Sequence, residues 1–160
     1  MTGKTHVMAG IASTTTVVQF TEYDPLLLIT AGVVGALLPD ICHSGSKIGR
    51  RFRIVSKIIN RVFGHRTFTH SILFLFLICI ILGKLTSDKS IIVGVAIGMI
   101  SHYILDAATK KGIQLLYPIK WNIRFPITTR TGSSTEKIIF ILLTLIVLYF
   151  GKDIVLESIL

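Results

Sequence analysis

Apolar segments separated by short charged blocks constrain the fold of this chain more than any other feature. The run Ile72–Leu82, for example, contains no charged or hydroxyl side chain. Hydrophobic residues make up 51% of the 160 residues and charged residues only 16%, whereas about 25% of a typical soluble domain is charged. The pattern therefore predicts an integral membrane protein.

Five apolar segments predict an all-α fold, a membrane helical bundle of about five helices. They are 3–20, 26–38, 68–84, 90–107 and 138–150. The first is rich in small residues, and Gly32 and Gly35 lie in the second, so we expect close packing between helices there. Several segments are shorter than the ~20 residues of a perpendicular span. Their polar ends should therefore be helical too, with a shallow or partly re-entrant arrangement as the alternative.

The segment 43–66 is strongly basic and contains no acid. Its apolar residues recur with helical spacing, which predicts an amphipathic helix in the plane of the lipid head groups. The alternative is a solvated basic loop. The apolar positions are Ile48, Phe52, Val55, Ile59 and Val62.

The distribution of Lys and Arg predicts the topology. The connections 43–66 and 108–135 hold twelve Lys and Arg residues and no acid, whereas 21–25 and 84–90 hold two Lys and three acids. Basic connections face the cytoplasm in membrane proteins. We therefore expect a single membrane-embedded helical domain, 1–160, in the cytoplasmic (inner) membrane, with its N-terminus and both basic segments on the cytoplasmic side.

All five histidines fall at the same end of the predicted helices, together with two acids. His102 and Asp106 are four positions apart in sequence (i, i+4), so both point from one helix face. Ionisable groups within membrane segments are costly and usually mark a functional site. The predicted layer consists of His6, Asp40, His43, His65, His70, His102 and Asp106.

This layer predicts a metal site. A single histidine near a helix end is more often an interfacial or capping residue than a ligand, but five converging with two acids favour a metal. Imidazole nitrogen and carboxylate oxygen suit zinc, with manganese or iron as alternatives, and we expect one to three ions. Thr5, Thr69 and Ser101 each precede a histidine and are candidates to orient its ring. Cys42 and Cys79 lack the spacing of a cysteine zinc site.

Four motifs in order resemble the YdjM-like family of predicted membrane-bound metal-dependent hydrolases, and the similarity continues to about residue 118. The resemblance implies a membrane hydrolase with a metal centre. One departure is Cys42, where the family commonly has a second acid. The motifs are Gly3-Lys4-Thr5-His6, Leu37-Leu38-Pro39-Asp40, Gly64-His65-Arg66-(x2)-Thr69-His70-Ser71 and Ser101-His102-(x3)-Asp106.

The order of histidines and acids is also similar, more distantly, to that of zinc-dependent phospholipases C and single-strand nucleases. We therefore expect hydrolysis of a phosphate ester of a lipid or lipid-linked substrate, with anionic head groups as partners. Asp40, Arg66 and His65 are the predicted catalytic residues.

Other functions are less favoured. A non-catalytic metal-stabilised scaffold or binding protein is the main alternative, and a metal-ion transporter is a weaker one. Nucleic acid is an unlikely partner because the basic loops lack interleaved aromatic residues. A homo-oligomer is compatible with the Gly- and Ala-rich faces.

Overall fold

The computed structural model describes the backbone of residues 1–159 and the side chains of residues 1–154, so Leu160 of the predicted domain lies outside it. Over that range the protein is all-helical, with no β-strand beyond two isolated bridges, as predicted. Seven α-helices follow one another in this range: α1 (Gly3–Val18), α2 (Pro25–Leu37), α3 (Lys47–Arg51), α4 (Arg53–Phe63), α5 (Ile72–Leu85), α6 (Lys89–Ala107) and α7 (Ser134–Ile159). Two 3-10 turns, Leu38–Cys42 and Phe68–His70, precede α3 and α5.

Short polar side chains determine where three of the apolar helices begin. The Asp24 carboxylate accepts a hydrogen bond from the Leu27 amide, and Pro25 occupies the first position of α2. Ser71 and Asp88 accept amide hydrogen bonds in the same way at the starts of α5 and α6. Such caps satisfy amides that have no partner within the helix.

Helices α1, α2 and α6 form the centre of the bundle and pack through glycines. A Cβ at Gly98 of α6 would collide with the carbonyl of Gly32 in α2, and one at Gly35 would collide with the backbone of Val95. A Cβ at Gly10 of α1 would lie 2.8 Å from the Gly32 carbonyl oxygen. The predicted role of Gly32 and Gly35 as close-packing points is therefore confirmed.

Apolar side chains cover much of the outside of the bundle. Phe76 of α5 is 62% exposed and Leu148 of α7 is 65% exposed, as expected for surfaces that face lipid. Two helical stretches among the described residues, Pro25–Cys42 and Lys89–Ala107, are long and apolar enough to cross a membrane, and α5 is apolar but shorter. The number of spans, five by sequence, stays a prediction.

The basic segment forms two helices rather than one continuous amphipathic helix. The backbone leaves the helical conformation at Phe52, between α3 and α4. Helix α4 packs on the turn Leu38–Cys42, where the Asn60 amide donates to the Cys42 carbonyl, and Ser56 of the same helix is buried. Its opposite side exposes Ile54 and Ile58 beside its basic residues. The amphipathic helix is thus present, and it is shorter than predicted.

Candidate metal centre

Five of the seven predicted metal residues meet at one end of the bundle. His6 lies in the first turn or two of α1, Asp40 in the turn after α2, His70 just before α5, and His102 and Asp106 near the end of α6. The three rings and Asp106 are at most 1% exposed, and the Asp40 side chain is 17% exposed. The chain brings them together because alternate helix ends lie on the same side of the bundle.

Asp106 and His102 are at the centre of this cluster. Asp106 carboxylate oxygens lie 3.3 Å from His6 Nε2, 3.5 Å from His70 Nε2 and 3.7 Å from His102 Nε2. The Nε2 atoms of His70 and His102 are 3.2 Å apart. Asp40 Oδ1 lies 3.9 Å from both of these nitrogens.

Backbone and hydroxyl groups orient two of the rings. His102 Nδ1 donates to the Ala36 carbonyl at 2.7 Å, so its Nε2 carries the lone pair that faces the cluster. His70 Nδ1 lies 3.1 Å from Thr69 Oγ1. The Tyr103 hydroxyl contacts the carbonyls of Thr69 and Ser71 and thereby ties the turn before α5 to α6. Neighbours of this kind select the tautomer of a metal-binding histidine.

Of the three hydroxyl residues expected to orient rings, only Thr69 contacts its histidine. Thr5 donates instead to Glu136 Oε1, and Ser101 donates to the Gly98 carbonyl. The expectation failed at these two positions because Ser101 bonds to its own helix and Thr5 bonds to α7. Thr69, by contrast, lies in the short turn before α5, beside its histidine.

Sequence reasoning missed Glu136, which is 3% exposed. Its carboxylate accepts hydrogen bonds from the amides of Thr2 and Gly132 and from the Thr5 hydroxyl. It therefore attaches the start of α7 to the start of α1, next to His6. The available signal was that Glu136 is the single acid between Ala107 and Lys152.

Arg66 lies against the cluster as a cation. Its Nη2 is 3.0 Å from Asp106 Oδ2, and its Nη1 donates to Thr109 Oγ1 at 2.7 Å. The Met1 amino group is 2.6 Å from the other oxygen of Asp106. The Arg66 backbone has φ of 64°, a conformation that non-glycine residues rarely adopt and that clusters at functional sites.

His43 and His65 lie beside the cluster and belong to neither group of converging ligand atoms found among the described residues. Their rings are 4.9 Å apart, and His65 is 5.8 Å from the His70 ring. His65 Nδ1 lies 3.2 Å from the thiol of Cys42, the residue at the position of the family's second acid. Desolvation, together with His70 and Arg66, lowers the pKa of His65 to about 4, so the ring is neutral at pH 7.

The geometry fits a divalent metal. Ligand atoms at the ~2.0–2.1 Å of zinc bonds in a tetrahedron lie about 3.3 Å from one another. The three Nε2 atoms lie 3.3–3.7 Å from Asp106 oxygens, and those of His70 and His102 lie 3.2 Å from each other, so little rearrangement is needed to bind one ion. Two overlapping groups each place three ligand atoms within 4.8 Å of one another, His6–Asp40–His102 and His70–His102–Asp106.

The fold and cluster define a helical membrane protein with a buried histidine–carboxylate centre. Residues 1–159 match the YdjM inner membrane protein family, and the chain belongs to that family.

Two bacterial relatives cover most of the chain. It is 51% identical to YvsG of Bacillus subtilis over 150 residues, 94% of each chain. It is 34% identical to the inner membrane protein YdjM of Escherichia coli over 87% of this chain and 77% of the relative. A further similarity, 33% over 59% of this chain and 55% of the relative, is to the E. coli inner membrane protein YbcI. No solved structure matches this chain.

Proposed function

We propose that this protein is a metal-dependent hydrolase that cleaves a phosphate ester of a lipid or lipid-linked substrate at the membrane surface. The observation that carries the proposal is the convergence of three imidazoles and two carboxylates within a basic end of the bundle. A bound divalent ion would lower the pKa of a water molecule and stabilise negative charge on a phosphoryl oxygen.

The burial of each ligand suggests its role. His6, His70, His102 and Asp106 are closed off from solvent and would hold the metal. Asp40 is the exception, because it also lines a cavity of about 470 Å³ that opens between the N-terminus and α3. A carboxylate with access to both metal and cavity is placed to bind metal or to accept a proton from an attacking water.

Arg66 and His65 line a different cavity beside the centre. The guanidinium group offers planar paired donors that match phosphate oxygens, and Arg66 Nη2 already lies beside Asp106. His65 is neutral and contacts the Cys42 thiol. We assign Arg66 to phosphate binding. We assign His65 either to proton transfer or to the positioning of its neighbours Cys42 and Arg66.

Exposed apolar and basic side chains around the centre support a substrate in the head-group layer. Ile54 of α4 is 77% exposed and Val62 is 64% exposed, next to Arg53, Lys57 and Arg61. In the loop between α6 and α7, Trp121 is 65% exposed. Such surfaces bind the interface of anionic membranes. By the positive-inside rule, this side of the membrane is cytoplasmic.

Metal content tests the proposal directly. We expect the purified protein in detergent to carry stoichiometric divalent metal, measured by elemental analysis, and His102→Ala to lose it because the ring contributes to both ligand groups. His43→Ala is the matched control and should retain the metal, since His43 lies outside those groups.

Activity on phosphoester substrates is then measured for the same proteins. Folding of each variant is checked by circular dichroism and size-exclusion chromatography. Absence of metal in the wild-type protein after supplementation with zinc and manganese would contradict the hydrolase proposal. Metal without turnover of any phosphoester would favour the scaffold alternative.

A further inference from the structure

We propose that a second cavity, on the Arg66 side of the metal centre, binds a second phosphate group of the substrate, so that the substrate is a diphosphate ester. This proposal rests on the proposed hydrolase function and specifies its substrate class. The cavity has a volume of about 300 Å³. Its lining includes Arg66, Thr109, Lys110, Lys111, Thr129 and Arg130.

The chain's own backbone builds this cavity. Two parts of the loop between α6 and α7 are tied by a parallel bridge between Thr109 and Thr129. The Lys110 amide donates to the Thr129 carbonyl at 3.3 Å, and the Thr129 amide donates to the Ala108 carbonyl at 2.9 Å. The bridge brings Arg130 to the same cavity as Lys110 and Lys111, although about twenty positions separate it from these lysines in the sequence.

Arg66 connects the cavity to the metal centre. Its Nη1 contacts Thr109, which lines the cavity, and its Nη2 contacts Asp106, which belongs to the centre. Its Nε is buried and has no hydrogen-bond partner among the described residues. The Arg66 carbonyl accepts from the Gln114 amide at 3.0 Å, which fixes the residue to the same loop. One guanidinium group thus faces two adjacent sites.

The charges of the lining specify the ligand. Four side-chain cations and three threonines line the cavity, and no acid does. Cations brought together without a carboxylate repel one another and attract a compact polyanion. The larger cavity beside Asp40 differs in that it combines this carboxylate with Lys4, Lys47 and Arg50 in its wall.

The two adjacent sites match the chemistry of a diphosphate. Its two phosphates share a bridging oxygen, so one at the metal centre places the other within reach of the same arginine. A monophosphate ester would leave the cations of the second cavity without an anionic partner. A lipid-linked diphosphate and a soluble diphosphate share this chemistry.

Binding of inorganic pyrophosphate and inorganic phosphate tests the site by isothermal titration calorimetry. The full chain is used in detergent without substitution at the metal centre and without free metal in solution, so that pyrophosphate can contact the centre and the second cavity together. Any removal of metal by pyrophosphate affects the loop variants and their control equally. We expect pyrophosphate to bind at least about tenfold more tightly than phosphate. Adding Lys110→Ala and Arg130→Ala should raise the pyrophosphate Kd at least about tenfold, the equivalent of about 1.4 kcal/mol.

The matched control replaces two cations of the same loop that do not line the cavity, Lys120→Ala with Arg124→Ala. It makes the same change in net charge and should alter the Kd less than about twofold. An equal loss in the control, or equal binding of phosphate and pyrophosphate, would overturn the second-phosphate site. The charge-conserving pair Lys110→Arg with Arg130→Lys should restore binding.

The results separate this proposal from the hydrolase proposal. Selective pyrophosphate binding in a protein that never binds metal would overturn the hydrolase alone. Stoichiometric metal with no selectivity for pyrophosphate would overturn the second-phosphate site alone. A long-chain alkyl diphosphate in nanodiscs that binds more tightly than pyrophosphate identifies the lipid as the source, and equal affinities identify a soluble diphosphate.

Discussion

At the scale of single residues, the centre depends on groups that never enter it. The Ala36 carbonyl determines which nitrogen of His102 carries the proton. The Thr69 hydroxyl lies within hydrogen-bond distance of His70 Nδ1. Tyr103 is 5% exposed and holds the turn that carries His70 by contacting two carbonyls. The positions of His70 and His102, and the tautomer of His102, therefore depend on α2 and α6 as much as on the histidines themselves.

Tyr103→Phe tests this support. Removal of the hydroxyl leaves two buried carbonyls with one partner fewer, which costs about 1–3 kcal/mol. We expect a lower midpoint of thermal unfolding in detergent and weaker metal binding, because His70 loses its anchor to α6. Tyr149→Phe removes the same hydroxyl from an exposed ring of α7 and should change neither. Equal behaviour of the two variants would show that the Tyr103 hydroxyl does not support the turn.

At the scale of elements, the crossing of α1, α2 and α6 sets the distances among the histidines and carboxylates of the cluster. Glycines on the contacting faces allow the backbones to approach, with Gly98 against the Gly32 carbonyl as the tightest example on α6. Because His102 follows Gly98 by one helical turn, any separation of α2 and α6 moves its ring away from the Ala36 carbonyl and from Asp40.

Gly98→Val is expected to disrupt this crossing. A side chain there meets backbone atoms, which cannot rotate away, so the helices must separate. We expect the free energy of unfolding to fall by several kcal/mol, as for other overpacked or strained core sites, and the bound metal to be lost. Gly83→Val, in the open on α5, is the control and should be close to neutral. Retention of stability and metal by Gly98→Val would show that the packing tolerates a wider crossing.

At the scale of the whole molecule, the apolar outer surface and the basic end determine how the protein lies in a bilayer. Helices α5 and α7 present apolar side chains outward, and the loop from α6 to α7 covers the end of the bundle next to Arg66. That loop carries exposed Ile119, Trp121 and Phe125 among lysines and arginines, so the expectation that the basic loops lack interleaved aromatic residues was wrong. Aromatic and basic residues together are typical of membrane interfaces.

Trp121 is the single tryptophan of the chain and therefore reports on this loop without labelling. In nanodiscs that contain anionic lipid, we expect blue-shifted emission and quenching by lipids brominated near the head group, with little quenching by acrylamide. Trp121→Phe with Phe20→Trp moves the probe to another exposed position, before α2, and shows whether the effect belongs to the loop. Emission as in free tryptophan would contradict contact with lipid.

Much of the architecture was predictable because it depends on local sequence. Apolar runs and capping residues such as Asp24 and Ser71 determine where helices form and start, and alternation of helix ends places His6, His70 and His102 at one end of the bundle. Both kinds of signal involve residues close together in the chain. The predicted helix boundaries and the end at which each histidine lies do not depend on how a helix is rotated about its own axis.

The composition of the centre required the packed structure. The division of the histidine layer into a cluster around Asp106 and an outer pair, His43 and His65, depends on how α4 seats against the turn after α2. The contacts of Arg66 with Asp106, and of Glu136 with Thr5, join residues at least forty positions apart. Such pairs depend on helix rotation and loop path to within an ångström or two. Those are set by glycine contacts and backbone bridges between distant segments, which no local pattern encodes.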